Sequence, residues 1–167
     1  ISGTKIDHIA FGTGTKTLVM IQGLNTHGIR SAGFSLAFMY RCFAKEYRIH
    51  LFDRRDPVQA GVTVRELAAD TAAAMDALGL TDADVLGVSQ GGMIAQYLAI
   101  DYPEKVEKLV LVVTAARENP ILLESLEEWV ACARKGDHTA LMDSNLRRIY
   151  SDRYYRNNKW MVPVIGK

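Results

Sequence analysis

The sequence has no hydrophobic run long enough to cross a membrane, and it has little net charge. A membrane helix needs roughly 20 apolar residues, and no run in this chain approaches that length. Its 20 Lys and Arg almost balance its 19 Asp and Glu, which leaves a formal net charge of +1. A nucleic-acid-binding domain would carry clustered basic residues. We therefore expect neither a membrane nor a nucleic-acid partner, and we interpret the pairs Arg54-Arg55 and Arg147-Arg148 as solvated surface.

Cysteine is scarce. The chain has two cysteines, Cys42 and Cys132, and they form no Cys-x-x-Cys pair. Both fall in helix-like apolar segments, where buried free thiols are common, so we expect neither a disulfide nor a metal site. The N-terminus also lacks a basic segment followed by an apolar one, the pattern of a secretion signal. The sequence therefore predicts a cytoplasmic protein.

The apolar residues follow the pattern of alternating strands and helices. With 167 residues, of which 49% are hydrophobic, the chain can bury one substantial core. Alternation or apolar runs predict strands at residues 5–11, 18–21, 49–52, 85–88 and 108–113. Helical patterns lie between them at residues 34–47, 63–79 and 91–101. Strands separated by helices predict an α/β fold, with a mostly parallel sheet and helices on both of its faces.

The pattern changes after Thr114. No further buried strand is predicted there, and Pro120 begins a helix that ends before Gly136, followed by a second helix over residues 138–150. The last residues, from 152 onward, are aromatic and polar and favour no single element. We therefore divide the chain into residues 1–115 and residues 116–167.

The pentapeptide Gly87-Val88-Ser89-Gln90-Gly91 joins a buried-strand pattern to a helix-like run. A sharp turn from strand to helix lifts a serine hydroxyl clear of the backbone and places it near the positive end of the helix dipole. Glycines on both sides leave room for the strand and helix to meet. This arrangement is typical of a nucleophile elbow. In it, Ser89 is the nucleophile, and Gly87 and Gly91 make the tight turn possible without taking part in the chemistry.

Several further motifs stand in the same order around the elbow. They are Leu18 to Gly23, Asp53-Arg54, the run Gly87 to Gly92, and Tyr102 to Val106 ahead of Leu109-Val110-Leu111. Over about residues 5–115 the chain resembles the α/β-hydrolase fold, and in particular its capped esterase, lactonase and haloperoxidase-like members. The resemblance implies a truncated hydrolase core at residues 1–115 and the start of a helical cap or lid at residues 116–167.

The same resemblance implies an oxyanion hole built from backbone amides. One amide follows the nucleophile and the other comes from the loop after an early strand, which assigns them to Gln90 and Leu24. Many relatives carry His-Gly where this chain carries Gln-Gly, so Asn25 remains an alternative second donor. Acyl transfer through a serine needs neither metal nor organic cofactor, and we expect none.

None of the four histidines stands where the family keeps its catalytic base. His8 and His50 lie in strand patterns and favour structural roles, whereas His27 follows the proposed oxyanion loop and is a candidate to line the pocket. His138 begins a predicted helix and favours a capping or surface role. In the family order the acid and then the histidine follow late strands, so we expect both beyond Lys167.

Glu118 is the only carboxylate near a plausible acid position, just after the last predicted strand. Glutamates in such a place are usually solvated, so we do not assign it as the triad acid.

Three functions remain open from the sequence. The first is a serine hydrolase that acts on an ester-like or other small acyl substrate through a Ser89 acyl-enzyme. The second is a module on the same scaffold that binds a small molecule without catalysis, and the third is an inactive fragment or one completed by a partner chain. If the sheet ends at residues 108–113, its apolar edge favours a homodimer.

Overall fold

The computed structural model describes residues 5–24 and 28–165. The strands are β1 (Lys5–Phe11), β2 (Lys16–Ile21), β3 (Tyr47–Asp56), β4 (Ala83–Val88) and β5 (Val106–Val112). The helices are α1 (Ile29–Met39), α2 (Val64–Ala77), α3 (Gln90–Asp101), α4 (Pro120–Arg134), α5 (His138–Ile149), α6 (Asp152–Asn158) and α7 (Val162–Ile165). Short 3₁₀ turns lie at Pro103–Lys105 and Lys159–Met161.

The described strands form one sheet in the order β1-β3-β2-β4-β5. The strands β3, β2, β4 and β5 run parallel to one another, and β1 pairs antiparallel with β3 at one edge. Parallel neighbours need crossover connections, and the helices that alternate with the strands in the sequence supply them. The predicted α/β class with a mostly parallel sheet is confirmed.

Helices cover both faces of this sheet because successive side chains of a strand point to opposite sides. Leu18 and Met20 of β2 belong to the buried cluster that includes Ile29 and Leu36 of α1. The alternate residues of β2, represented by Val19, belong to the other cluster, which includes buried side chains of α2 and α3. The central strands are therefore buried on both sides, as their continuous apolar runs indicate.

The first helix differs from its prediction. The sequence pattern placed it at residues 34–47, whereas α1 spans Ile29–Met39 and the chain then makes a series of turns. The buried positions are Ile29 and Leu36, and Phe34 is 90% exposed. Because β3 runs parallel to β2, it begins beside the start of β2, with Tyr47 opposite Lys16. The helix ends early so that the turns after it can bring the chain to that point.

The prediction that both cysteines lie buried in helices is partly wrong, because α1 ends before Cys42. Cys42 lies in the turns that follow α1 and is exposed, whereas Cys132 in α4 is half-buried. Neither is paired in a disulfide.

The second crossover helix begins as its capping motif predicts. The Glu66 amide donates to the Thr63 hydroxyl at 3.2 Å, and the Glu66 carboxylate accepts from the Thr63 amide at 2.8 Å. Hydrogen bonds that this carboxylate accepts from the amide and the hydroxyl of Thr63 lower the pKa of Glu66. Reciprocal bonds of this kind satisfy two donors that the first helical turn cannot pair, which stabilises the start of α2.

The chain divides into two compact units, Ile1–Ala116 and Arg117–Lys167. The second unit contains α4 to α7. Within it, the indole of Trp129 donates to the Ser144 hydroxyl at 3.1 Å, and Arg148 pairs with Glu128 at 2.6 Å. These contacts join α4 to α5. Nowhere in the described ranges does a helix combine the length and apolar character needed to span a membrane.

Two histidines face each other across the first strand pair. A hydrogen bond of 3.0 Å joins Nε2 of His8 to Nδ1 of His50, and the His8 ring stacks on Phe52 with centroids 4.9 Å apart. Burial, and secondarily the charge of Arg48, lowers the pKa of His8. Burial also lowers the pKa of His50. The structural role predicted for both residues agrees with this position inside the sheet.

We expect this pair to make the stability of the fold depend on pH. Each folded-state pKa lies below the unfolded value of 6.5, so the unfolded chain binds more protons. The pair's contribution is complete above the unfolded value and is lost as the pH falls through the lowered folded values. Urea denaturation at a series of values from about pH 7.5 to about pH 5.5 should show this loss. Replacing both His8 and His50 by Phe should flatten the profile, and an unchanged slope would contradict the assignment.

The other edge of the described sheet is apolar. The strand β5 pairs with β4 alone among the described strands, and its side chains are largely exposed. Val110 is 47% exposed, and Leu109 and Leu111 beside it are also exposed. An apolar edge with unpaired backbone groups is a template for pairing with another strand.

We expect the 167-residue chain to self-associate through β5. Sedimentation velocity should show a weight-average mass that rises with protein concentration. Val110→Lys should suppress this rise, because a lysine blocks edge-to-edge pairing. Val130→Lys is the matched control, since Val130 is 45% exposed on α4 and is not part of β5. A monomer at every concentration tested would rule out this use of the edge.

Candidate active site

Ser89 has an unusual backbone conformation at the turn between β4 and α3. Its φ is 53° and its ψ is −121°. Residues other than glycine rarely adopt this backbone conformation, which costs of order 1–3 kcal/mol. Two contacts hold it in place: the Ser89 amide donates to the Val112 carbonyl at 2.9 Å, and the Thr114 hydroxyl donates to the Ser89 carbonyl at 2.7 Å. Ser89 is exposed at this turn.

The glycines around Ser89 allow three backbone segments to come together. A Cβ on Gly87 would lie 2.6 Å from the Gly91 carbonyl oxygen and 2.7 Å from the Ala95 methyl group. A Cβ on Gly91 would overlap the backbone carbonyls of Ile21 and Gln22. The start of α3 thus packs directly on the end of β2, which is the close approach expected of an elbow.

The loop after β2 lies against the serine. A Cβ built on Gly23 would be 3.2 Å from Cβ and 3.8 Å from Oγ of Ser89. Leu24, the next residue, is 78% exposed, and its backbone amide belongs to the same loop. Gln90 is the first residue of α3, so its N–H is one of those that the helix cannot pair internally. The structure brings the two residues assigned to the oxyanion hole near Ser89, and their role as donors stays a prediction.

Two candidates from the sequence cannot be placed. Asn25, the alternative oxyanion donor, and His27, the candidate for the pocket wall, lie outside the described residues.

The electrostatic setting of the elbow favours negative charge. The helix α3 has 12 residues and carries no acidic side chain in its first turn, so the positive end of its dipole is not offset where it meets Ser89. An anion that forms on a substrate bound at Ser89 would be stabilised there.

The structure corrects the interpretation of Arg54-Arg55 as solvated surface. Nη2 of Arg54 donates to the Gln22 carbonyl, and its Nε donates to the side-chain oxygen of Gln90 at 3.2 Å. Arg55 forms a two-point ion pair with Asp70 of α2, one of whose bonds is 2.7 Å. Burial lowers the pKa of Arg54, and the charge of Asp53 beside it opposes this. The position of Arg54 near the carboxyl end of β3 was the available signal for its contacts, because active sites of parallel sheets form at that edge.

The described histidines of the first unit lie away from Ser89. The strand register aligns His50 with Val19 and Val19 with Val85, four residues before Ser89. At 3.3 Å per residue, His50 is about 13 Å from the elbow along the strand direction and two strands to the side. His8 is hydrogen-bonded to it.

The remaining candidates belong to the second unit. His138 begins α5, where the preceding Asp137 caps the helix, and Glu118 is exposed in the segment before α4. Among the residues that the structure describes, no three His, Cys, Asp or Glu side chains converge as metal ligands would.

Comparison with known proteins identifies the family. The sequence model of the alpha/beta hydrolase fold matches residues 16–142. Because this match covers more than half of the sequence, the chain belongs to the α/β-hydrolase family. It therefore shares its fold with proteins of several activities, and the activity has to be argued from the site.

Individual relatives match parts of the chain. A homoserine O-acetyltransferase of Thermus thermophilus is 46% identical over 59 residues, which cover 35% of this chain and 16% of that protein. Human epoxide hydrolase 4 is 30% identical over 118 residues, covering 66% of this chain and 32% of that protein. The crystal structure of an enol-lactonase from Burkholderia xenovorans LB400 has a TM-score of 0.77 at 23% identity, covering 99% of this chain and 64% of that one. The chain thus spans less than a third of the length of these two curated relatives.

The close approach at Gly91 can be tested by adding one methyl group. Gly91→Ala places a Cβ against two backbone carbonyls that cannot move aside without shifting β2, so we expect a loss of at least about 2 kcal/mol of unfolding free energy. Gly33→Ala is the control. A Cβ there would lie 3.8 Å from Ile9 inside a helix, where alanine is favoured over glycine by up to about 1 kcal/mol. Urea denaturation curves that show equal stability for the two variants would contradict the geometry.

Proposed function

We propose that the protein is a serine hydrolase that acts on an ester-like or other small acyl substrate through an acyl-enzyme on Ser89. The observation that carries this proposal is the strained conformation of Ser89, exposed at the positive end of α3 and beside the loop after β2. Strained residues of this kind cluster at active sites, where the surrounding structure holds them in place. Membership of the α/β-hydrolase family supports hydrolysis as the general chemistry.

The proposed reaction has two halves. Oγ of Ser89 attacks the substrate carbonyl carbon while a base takes the hydroxyl proton, and the carbonyl oxygen becomes an oxyanion that the amides of Leu24 and Gln90 stabilise. The bond to the leaving group then breaks, and the leaving group takes the proton. Water repeats the sequence on the acyl-enzyme, which releases the acid and restores the serine.

The described histidines of the first unit are not assigned as the base of this mechanism. His8 and His50 bond to each other within the sheet, and His50 lies about 13 Å from the elbow along the strands. We propose, following the family resemblance, that a histidine and a carboxylate after Lys167 in the complete protein fill these roles. A small molecule is then the reaction partner, and neither a metal nor an organic cofactor is required.

Acyl chemistry suits the side chain at the elbow. The homoserine O-acetyltransferase that matches 59 residues of this chain transfers an acetyl group by its name, whereas epoxide hydrolase 4 is named for a different substrate. A serine hydroxyl adds to carbonyl carbon, and the donors beside Ser89 suit the oxyanion that this addition creates. We therefore favour an ester-like substrate over an epoxide.

The test is covalent labelling of Ser89. The complete protein should react with a serine-directed phosphonate and should hydrolyse a simple activated ester. Ser89→Ala should abolish the labelling and lower turnover by at least about 10³-fold, because the nucleophile is removed. Peptide mass spectrometry locates the adduct, and ester hydrolysis is followed by absorbance.

Ser35→Ala is the matched control, since Ser35 is an exposed serine on α1 whose hydroxyl donates to the Ala32 carbonyl of the same helix. It should label and turn over like the parent. Equal labelling of the parent and Ser89→Ala would overturn the proposed function. Tight binding of a small ligand without Ser89-dependent turnover would favour the binding module instead.

A further inference from the structure

One guanidinium group bridges the two sides of the elbow. Nη2 of Arg54 donates to the carbonyl of Gln22 and, at 3.4 Å, to the carbonyl of Gly23. Nε of the same group donates to the side-chain oxygen of Gln90 at 3.2 Å. The loop after β2 and the first residue of α3 are therefore tied to the same rigid plane, which presents its donors in a fixed geometry.

The contact with Gly23 also orients the next amide. A trans peptide unit is planar, and its C=O and N–H point in opposite directions. The Gly23 carbonyl faces Arg54, so the N–H of the same peptide unit, which belongs to Leu24, points away from the guanidinium. A Cβ built on Gly23 would lie 3.8 Å from Oγ of Ser89, so the loop that carries this N–H lies beside the serine.

Asp53 holds the other end of the same loop. One of its carboxylate oxygens accepts from the amide of Ile29, the first residue of α1, at 2.8 Å. The other accepts from the backbone amide of Arg54 at 2.9 Å. Two consecutive residues of β3 thus bind the start and the end of the segment between β2 and α1, which leaves its ends little freedom.

We propose that Arg54 is a positioning residue that sets the separation and direction of the two oxyanion donors, the amides of Leu24 and Gln90. The inference rests on the proposed function of Ser89. Donors in an oxyanion hole must be in place before charge develops, and small misplacements lower the rate strongly. Arg54 meets this requirement through its hydrogen bonds to the loop and to the first residue of α3, without contacting the substrate.

The kinetic test compares Arg54→Met, Arg54→Lys and the control Arg55→Met in the complete protein. Arg54→Met should lower kcat for an activated ester by about 10- to 100-fold and change KM by less than about threefold, since the donors act mainly in the transition state. Arg54→Lys should recover part of the loss, because an ammonium group keeps the charge but lacks the rigid plane with which the guanidinium binds three acceptors. Arg55→Met removes a partner of Asp70 and should lower the melting temperature while kcat stays near the parent value.

A second measurement needs no activity. In NMR spectra of the 167-residue chain, the backbone amide resonances of Leu24 and Gln90 should shift and broaden in Arg54→Met, and they should stay unchanged in Arg55→Met. This readout reports the position of the loop and the helix start directly.

The outcomes separate the two proposals. Normal kcat and unmoved Leu24 and Gln90 resonances in Arg54→Met would overturn the role of Arg54 and leave the nucleophile standing. Equal kcat losses in Arg54→Met and Arg55→Met, in step with lower melting temperatures, would show a merely structural role and also overturn it. Absence of Ser89-dependent turnover in the parent would overturn the proposed function, and the resonances would then decide the positioning role alone.

Discussion

The site depends on the close approach of three backbone segments around Ser89. The end of β2 and the start of α3 meet with no room for a side chain at Gly91, and β4 enters the same turn past Gly87. Hydrogen bonds from Ser89 and Thr114 then hold the serine in a conformation that an isolated peptide would avoid. Packing of the sheet and of α3 supplies the energy that this strain requires.

The residues at the end of β3 extend this constraint to the neighbouring loop. Asp53 and Arg54 use their side chains on backbone groups of the segment between β2 and α1, rather than on solvent. Because Arg54 also bonds to Gln90, the loop and the helix start are linked through one cation. The elbow and the loop after β2 are therefore one connected structure.

Local patterns carried most of the fold prediction. The capping box at Thr63, the glycine spacing around Ser89 and the apolar strand runs each depend on neighbours in sequence, and the structure confirms their positions within one or two residues for most elements. The prediction failed at α1, where Phe34 fits a helical stripe as well as Leu36 does. Only the sheet decides which stripe is covered.

The sequence by itself determined the order of strands and helices, the turn at Ser89 and the family, because these follow from short-range spacing of glycines and apolar residues. Tertiary structure alone decided the partners of Arg54 and Arg55, the pairing of His8 with His50, and the contact of Gly23 with Ser89. Each of these contacts joins different strands, helices or loops. Residues far apart in sequence meet only when the sheet sets their register, and no local pattern encodes that register.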